Sequence, residues 1–475
     1  MSLPSNMLDK KEKLSIKDLS SLLIGADTMV PTLNGSKKYI NFDNAASTPT
    51  FSPVADAMVS FLRWYSNVHR GTGFKSLLAS WAYERSRDIV ADFVGADLSK
   101  QVVIFTKNST EAINKLSYRL PLKKGDVVLT TLMEHHSNEL PWRRVAHVEH
   151  IGLNEDGTIS KEDFLDKFKK LGPKIKLVAI TGASNVTGYI NDIDFFAQEA
   201  HKRGAKILVD GAQLIPHRPV NMKPHDKQKC IDYLVFSAHK MYAPFGVGVL
   251  IGDKETFEQG DPEIVGGGIV DIVTLENAYW TDLPEKEEAG TPDIVGVVAL
   301  AKVIKMYESL GWDNIIQHES DLTAYALTQL KKIPSVTLFG DTDPNNATKR
   351  LGVISLIVGD IPHALVAAIL SYEGAIGVRS GCFCAHTYVK CLLHVSQQES
   401  KKMEQNILHR DRSHIPGTIR MSFGIYNTKE EIDRFVEMIK KIDAGDYSQD
   451  YVLNKEKGEY TPKNFDIDFQ KYYQL

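Results

Sequence analysis

The feature that most constrains this chain is an alternation that begins near Val102. Short apolar runs of strand length exchange with amphipathic stretches of helix length: "VVIF" is followed by "TEAINKLSYRL", and "DVVLTT" reads as the next strand. "KLVAIT" is followed by the helical "DIDFFAQEAHKRG", which stops at Gly204, and "KILVD" follows directly. A strand joined to the next through a helix pairs with it in parallel, and a sheet covered by helices on both faces needs strands that are apolar throughout. The alternation therefore predicts a mostly parallel sheet clothed in helices. Ligands of such sheets bind beyond the carboxyl ends of the strands, which puts Asp210, the last residue of "KILVD", in a binding crevice.

After about residue 295 the pattern changes scale. "VGVVALAKVIKMYESLGW" reads as one long helix suited to linking two domains. Beyond it "LGVISLIV", "HALVAAILSYEG", "AIGVRS", "GTIRMSFG" and "TKEEIDRFVEMIKKI" alternate strand and helix again, as a second, smaller α/β domain. A chain of 475 residues is too long for one simple core. The expected division is an N-terminal segment, 1–38, packing with the small domain; a large domain, 39–295; a small C-terminal domain, 296–444, with a polar insertion near 395–415; and a tail, 445–475, on the surface.

Composition excludes several partners. A net charge of −4 gives no electrostatic reason to expect nucleic acid or an anionic membrane. No window has the apolar length of a membrane span, and the first residues lack the apolar core and cleavage site of a signal peptide. The cytoplasm is the expected compartment. The cysteines are Cys230, Cys382, Cys384 and Cys391, and three of them fall within ten residues, which suggests reactivity or metal binding rather than a disulfide framework.

The chemistry gathers at strand ends. In "DYLVFSAHKMYAPFGVGVLIG", Ser237, His239 and Lys240 follow an apolar strand. A lysine there is tolerated if it is solvated, paired or covalently occupied. Asp210 in "VDGAQ" fits a turn carboxylate or a ligand-binding acid. Ser109 and Thr110 in "KNSTEAINKL" taken alone fit helix caps first, and the same geometry makes an anion site from free N–H groups and the helix dipole. His135 and His136 in "MEHHSNELPW" fit structural histidines or active ones. One ligand uses all of them together: an aldehyde cofactor with a pyridine nitrogen and a phosphate. A lysine forms its Schiff base, an acid pairs with its pyridinium, and helix-end donors hold its phosphate. That cofactor is pyridoxal 5′-phosphate.

The stretches "INFDNAASTP", "NSTEAINKL", "MEHHSNELPWR", "SNVTG", "VDGAQ", "FSAHKMYAPFGVGVL", "EAGTPD", "VRSGCFCA" and "IRMSFGIYNT" occur in this order from position 39 to about 440. In this the chain resembles the class V aminotransferase superfamily of fold-type I enzymes, most closely its cysteine desulfurase and selenocysteine lyase branch. The resemblance implies a seven-stranded, mostly parallel sheet in the large domain. It also implies roles: Lys240 as the Schiff-base lysine, Asp210 on the pyridine nitrogen, Gln213 on the phenolic oxygen and His135 stacked on the ring as a catalytic group. Ser109, Thr110, Ser237 and His239 would hold the phosphate. Thr291 would reach the phosphate of a neighbouring subunit, which implies a homodimer. Asn185, Arg420 and Arg379 would bind the substrate carboxylate.

Aligned on "RSG", the reactive cysteine of the family falls on Cys384, where it would receive sulfur from L-cysteine as a persulfide and pass it to a sulfur-acceptor protein. The family's two preceding histidines are here Cys382 and Phe383, and "GCFC" is also similar to molybdenum cofactor sulfurases. Other readings of this stretch are inert buried cysteines, or a metal site built from Cys382, Cys384, Cys391 and His386 or His394. The alternative functions are a selenocysteine lyase, another class V aminotransferase, epimerase or C–S lyase, and a non-catalytic scaffold or metal-binding protein.

Overall fold

The computed structural model describes residues 14–69 and 71–475. Its principal sheet has seven strands: β1 (Gln101–Thr106), β2 (Val127–Thr131), β3 (His147–Ile151), β4 (Ile175–Thr181), β5 (Lys206–Asp210), β6 (Tyr233–Ser237) and β7 (Gly248–Asp253). They lie in the order β1-β7-β6-β5-β4-β2-β3. Only β7 runs against its neighbours, β1 and β6; the other pairs are parallel. The period of two along each strand feeds two cores. Val103, Phe105, Leu234 and Phe236 face one side, and Val102, Ile104, Tyr233 and Val235 face the other.

Helices α1 (Ser52–Leu62), α2 (Phe74–Phe93), α3 (Ser109–Arg119), α4 (Lys161–Leu171), α5 (Ile193–His201) and α6 (Ile294–Leu310) cover these faces. Their starts are written in local sequence. The Asn108 side chain accepts the Glu111 N–H ahead of α3, and Asp192 accepts the Phe195 N–H ahead of α5. Gly204, at φ +76°, turns the chain out of α5 into β5.

A second, antiparallel sheet holds β8 (Val336–Phe339), β9 (Val353–Val358), β10 (Arg379–Gly381) and β11 (Thr418–Ser422) in the order β8-β9-β11-β10. Between and around it run α7 (Trp312–Leu330), α8 (His363–Gly374), α9 (His386–Leu392), α10 (Gln397–Leu408) and α11 (Lys429–Asp443). The long linking helix expected at 295–312 is α6, but its side chains, from Ile294 to Leu310, pack into the core of the seven-stranded unit. The bridge is α7: Ile315 joins that core, and Leu322, Ala326, Leu327 and Leu330 join the second one.

The N-terminal segment divides in the same way. Leu19 is buried in the larger core, whereas the hairpin at 29–38 leans on α8, where Lys37 Nζ donates to the Glu373 carbonyl. Residues 1–13 of that segment lie outside the described residues. The polar insertion contains α10, started by a reciprocal capping box between Ser396 and Glu399. In the tail, β12 (Tyr451–Asn454) and β13 (Glu459–Pro462) form a hairpin whose Tyr451 hydroxyl donates to Glu373. Among the described residues no helix is long and apolar enough to cross a membrane.

Candidate active site

The parallel strands deliver their C-terminal ends to one edge. There β2 leads to His135, β4 to Asn185, β5 ends in Asp210, and β6 ends in Ser237, one turn before Lys240. Helix α3 starts at the same edge, after β1. It comes close because β7 begins with glycine: a Cβ on Gly248 would sit 2.3 Å from the Asn108 backbone. This contact seats the α3 N-terminus against Ser237, whose Oγ accepts the Ser109 N–H at 2.8 Å and donates to Ser109 Oγ at 3.1 Å.

Lys240 is half-buried, and no hydrogen bond or ion pair holds its Nζ among the described residues. Burial brings its ammonium down to about 8; Arg420 pushes the same way, while Asp210, Cys384 and Asp43 oppose it. Asp210 is buried, accepts the Ala212 N–H at 3.0 Å and carries no ion pair among the described residues. Burial raises its carboxyl above the usual range, against the pull of that N–H and of Lys240.

His135 is held at about 3 by burial, reinforced by Lys240, His136 and Arg420, so its ring is neutral at physiological pH. Its Nδ1 accepts the Ser137 N–H at 3.2 Å, which leaves the ring hydrogen on Nε2. Ser137 Oγ lies 2.7 Å from Thr110 Oγ1 and so ties this histidine to the start of α3. Burial, then Lys240, lowers His239 to about 4, and its ring faces Ser47 Oγ. The Gln213 amide donates to the Ala45 carbonyl at 2.7 Å.

Pyridoxal 5′-phosphate fits this set. Its pyridinium would answer the buried, unpaired carboxylate of Asp210, and its aldehyde the unengaged amine of Lys240. The hydroxyls of Ser109, Thr110 and Ser237 and the positive end of α3 suit a phosphate.

The opposite wall comes from the smaller sheet. The antiparallel register of β10 and β11 sets Arg379 directly opposite Arg420, an arrangement that repels. Asp43 resolves it: Arg420 Nη2 donates to its Oδ1 at 2.7 Å and Arg379 Nη2 to its Oδ2 at 2.8 Å. Arg420 is buried, Arg379 is half exposed, and Arg420 Nη1 also donates to the Asn185 carbonyl at 3.2 Å. Arg420 Nε is buried without a partner, a donor left for an incoming acceptor. Sequence reasoning missed Asp43. It lies inside the quoted "INFDNAASTP", but nothing local says that it meets two arginines from the far end of the chain.

The "RSGCFCAH" loop closes over this wall. Phe383 and Cys384 both have left-handed backbones, at φ +53° and +55°, a conformation that costs a non-glycine residue roughly 1–2 kcal/mol. Asn185 Nδ2 donates to the Phe383 carbonyl at 2.8 Å, and the His136 N–H donates to the Cys384 carbonyl at 2.8 Å. The Arg420 guanidinium lies 4.9 Å from the centre of the Phe383 ring. Hydrogen bonds at ~0.5–1.5 kcal/mol each and a desolvated cation–π contact of ~2 kcal/mol offset strain of that size.

Cys384 is exposed and close enough to bias both Lys240 and Arg420. Cys382 is buried, donates to the Pro416 carbonyl, and is pushed up to about 11 by burial. The cysteines and histidines of the metal reading do not converge. Among the described residues the one cluster of ligating atoms is His69, Glu84 and Glu285. His386 instead sets its ring edge-on to His136, with centroids 4.6 Å apart. Thr291 is exposed, on the segment before α6, and makes no hydrogen bond to these residues.

A sequence model of the family described as aminotransferase class-V matches residues 40–435. The chain is 37% identical over 418 residues to a probable cysteine desulfurase of Halalkalibacterium halodurans, covering 86% of this chain and 94% of that protein. It is 33% identical over 409 residues to a cysteine desulfurase of Haloferax volcanii, covering 84% and 88%. The apo structure of a cysteine desulfurase from Thermococcus onnurineus superimposes with a TM-score of 0.76 at 33% identity, over 90% of this chain and 98% of that one.

Proposed function

The chain belongs to the class V aminotransferase family, and on that premise we propose that it is a pyridoxal 5′-phosphate-dependent cysteine desulfurase, turning L-cysteine into L-alanine with transfer of the sulfur to Cys384. The cofactor, when bound, would supply an electron sink for the substrate. Asp210 holds the proton on its ring nitrogen. Lys240, with an ammonium near 8, gives up and takes back a proton at the substrate α-carbon within the physiological range. Neutral His135 keeps a donor, Nε2–H, available at the ring. Arg420 and Asn185 orient the substrate carboxylate, Arg420 through a planar fork whose Nε is free. Cys384, as thiolate, attacks the substrate sulfur. The S–S bond forms as the C–S bond breaks, the bonding pair stays with the β-carbon, and that carbon takes a proton to become the methyl group of alanine.

The observation that carries this reading is the contrast between the two thiols. Cys384 is exposed and electrostatically coupled to Lys240 and Arg420, whereas Cys382 is buried and hydrogen-bonded. Exposure also suits Cys384 for delivery of sulfur to an acceptor protein. We further infer a homodimer in which Thr291 completes the partner's phosphate site. Exposed Ile264, Val265, Ile272, Val273 and Leu275, just ahead of Thr291, support it as surface that a second copy would cover. Four free cysteines fit a reducing, cytoplasmic setting. The test is incubation of purified protein with L-cysteine, L-selenocysteine and common amino acids, with alanine, sulfide and keto acids measured. Alanine formed with sulfur from L-cysteine supports the reading. Keto acids without sulfur release, or alanine only from L-selenocysteine, would replace it.

A further inference from the structure

The residue beside the candidate nucleophile touches the carboxylate-binding pair in two ways. The Arg420 guanidinium carbon lies over the Phe383 ring, 4.9 Å from its centre, and the Phe383 carbonyl accepts Asn185 Nδ2 at 2.8 Å. Arg420 Nη1 in turn donates to the Asn185 carbonyl at 3.2 Å, so Phe383, Asn185 and Arg420 form a closed circuit of contacts. All three are buried, while the next residue, Cys384, is exposed.

We propose that Phe383 is a positioning residue that couples occupancy of the carboxylate site to the placement of the Cys384 thiol. The proposal rests on the desulfurase reading and adds to it how the nucleophile is aimed. A carboxylate approaches a guanidinium along its edge, in plane, where the N–H groups point; an aromatic ring packs on its face. The two do not compete. The guanidinium carbon sits over the Phe383 ring, and the edge at Nε is unpartnered. A bound carboxylate therefore fixes Arg420, Arg420 fixes the ring it lies over, and the ring fixes the residue that follows it. The need for fixing is visible in the backbone, since Phe383 and Cys384 both sit in the left-handed region with no glycine to make it easy. Asn185, by engaging the Phe383 carbonyl, adds a second line from the same substrate group to the same loop.

The experiment follows alkylation of Cys384 by iodoacetamide, read by peptide mass spectrometry on the cofactor-loaded protein, with and without L-alanine, which offers the carboxylate but no sulfur. In the wild-type protein, L-alanine changes the Cys384 alkylation rate severalfold. In Phe383→Ala, alkylation without ligand rises, the response to L-alanine disappears, and kcat for L-cysteine falls about thirtyfold, the size of a lost desolvated cation–π contact, with KM nearly unchanged. Phe383→Tyr, which keeps a ring, restores all three. Should the alanine variant fail to fold, Phe383→Leu carries the same expectation, because it fills the volume without the ring face. The proposal is overturned if Phe383→Ala alkylates and responds like wild type, if KM rises while kcat holds, or if Phe383→Tyr fails as Phe383→Ala does. If wild-type protein yields no alanine from L-cysteine, the desulfurase reading fails by itself, and the alkylation arm still decides the coupling.

Discussion

Replacing Asp43 with asparagine should unsettle the site from the side where sequence said least. The carboxylate spans two arginines that the sheet register forces face to face. Asparagine keeps the shape and one acceptor but removes the charge. Arg420 is 3% exposed, so its ion pair is the costly one to lose. Removing one partner of a buried pair costs about 3–5 kcal/mol. Asp43 itself is 19% exposed, and asparagine retains an acceptor, which brings the loss toward ~2–3 kcal/mol. The bond to Arg379, which is 51% exposed, adds ~0.5 kcal/mol at most. Thermal unfolding of Asp43→Asn should therefore begin several degrees below wild type. L-alanine should recover more of that loss in the variant than it adds to wild type, because its carboxylate takes the place left beside Arg420. Differential scanning calorimetry of the cofactor-loaded proteins, with and without L-alanine, measures both. An unchanged midpoint, or equal stabilisation of the two proteins by L-alanine, would refute the view that Asp43 neutralises Arg379 and Arg420 at a carboxylate-binding site.

Other consequences can be checked directly. Capture of pyridoxal 5′-phosphate by cofactor-free protein should speed up as pH rises through about 8, because only the neutral Lys240 amine attacks the aldehyde; a midpoint near that of an ordinary lysine, with borohydride trapping the cofactor on Lys240, would show that burial does not tune the amine. Gly248→Ala should weaken cofactor retention at least tenfold, since its Cβ would drive the α3 N-terminus off Ser237; equilibrium dialysis reads it, and unchanged retention would separate that helix end from the phosphate. Mixing Lys240→Ala protomers with Thr291→Ala protomers should recover part of the activity each lacks. No recovery, from proteins that do associate, would exclude a shared site.

Local signals made part of this molecule legible in advance. Six of the seven strands of the large sheet are nearly continuous apolar runs, and Asp210, at the end of one, and Lys240, just past another, lie at the edge where those runs stop; the seventh, β3, reads "HVEHI" and carries no such signal. Asp192 announces the start of α5 through a bond only three residues long, whereas the cap of α3 is Asn108, one residue ahead of the Ser109 and Thr110 that the sequence offers as caps. The capping box of α10 is equally local, "SQQE" from Ser396 to Glu399, within a stretch whose polarity marks an insertion. The division between α6 and α7 was not legible, because an apolar helix carries no mark of which core it will join. Nor was the triad of Asp43, Arg379 and Arg420. Its contacts join residues hundreds of positions apart and depend on the register of β10 against β11, which a sequence does not print. The exposure of Cys384 against the burial of Cys382 belongs to the same class: both lie two positions apart in one loop, and only its left-handed turn sends them to different surroundings.

The central claim is that Cys384 receives the sulfur of L-cysteine. It is tested most directly by mass spectrometry of the peptide containing "SGCFCAH" after brief exposure of the cofactor-loaded protein to L-cysteine, with thiols blocked on quenching. The account predicts one added sulfur atom on Cys384, none on that residue's alanine variant, and the same single addition in Cys382→Ala. Sulfur carried by Cys382 with Cys384 dispensable, or alanine released with no sulfur on either thiol, would contradict it.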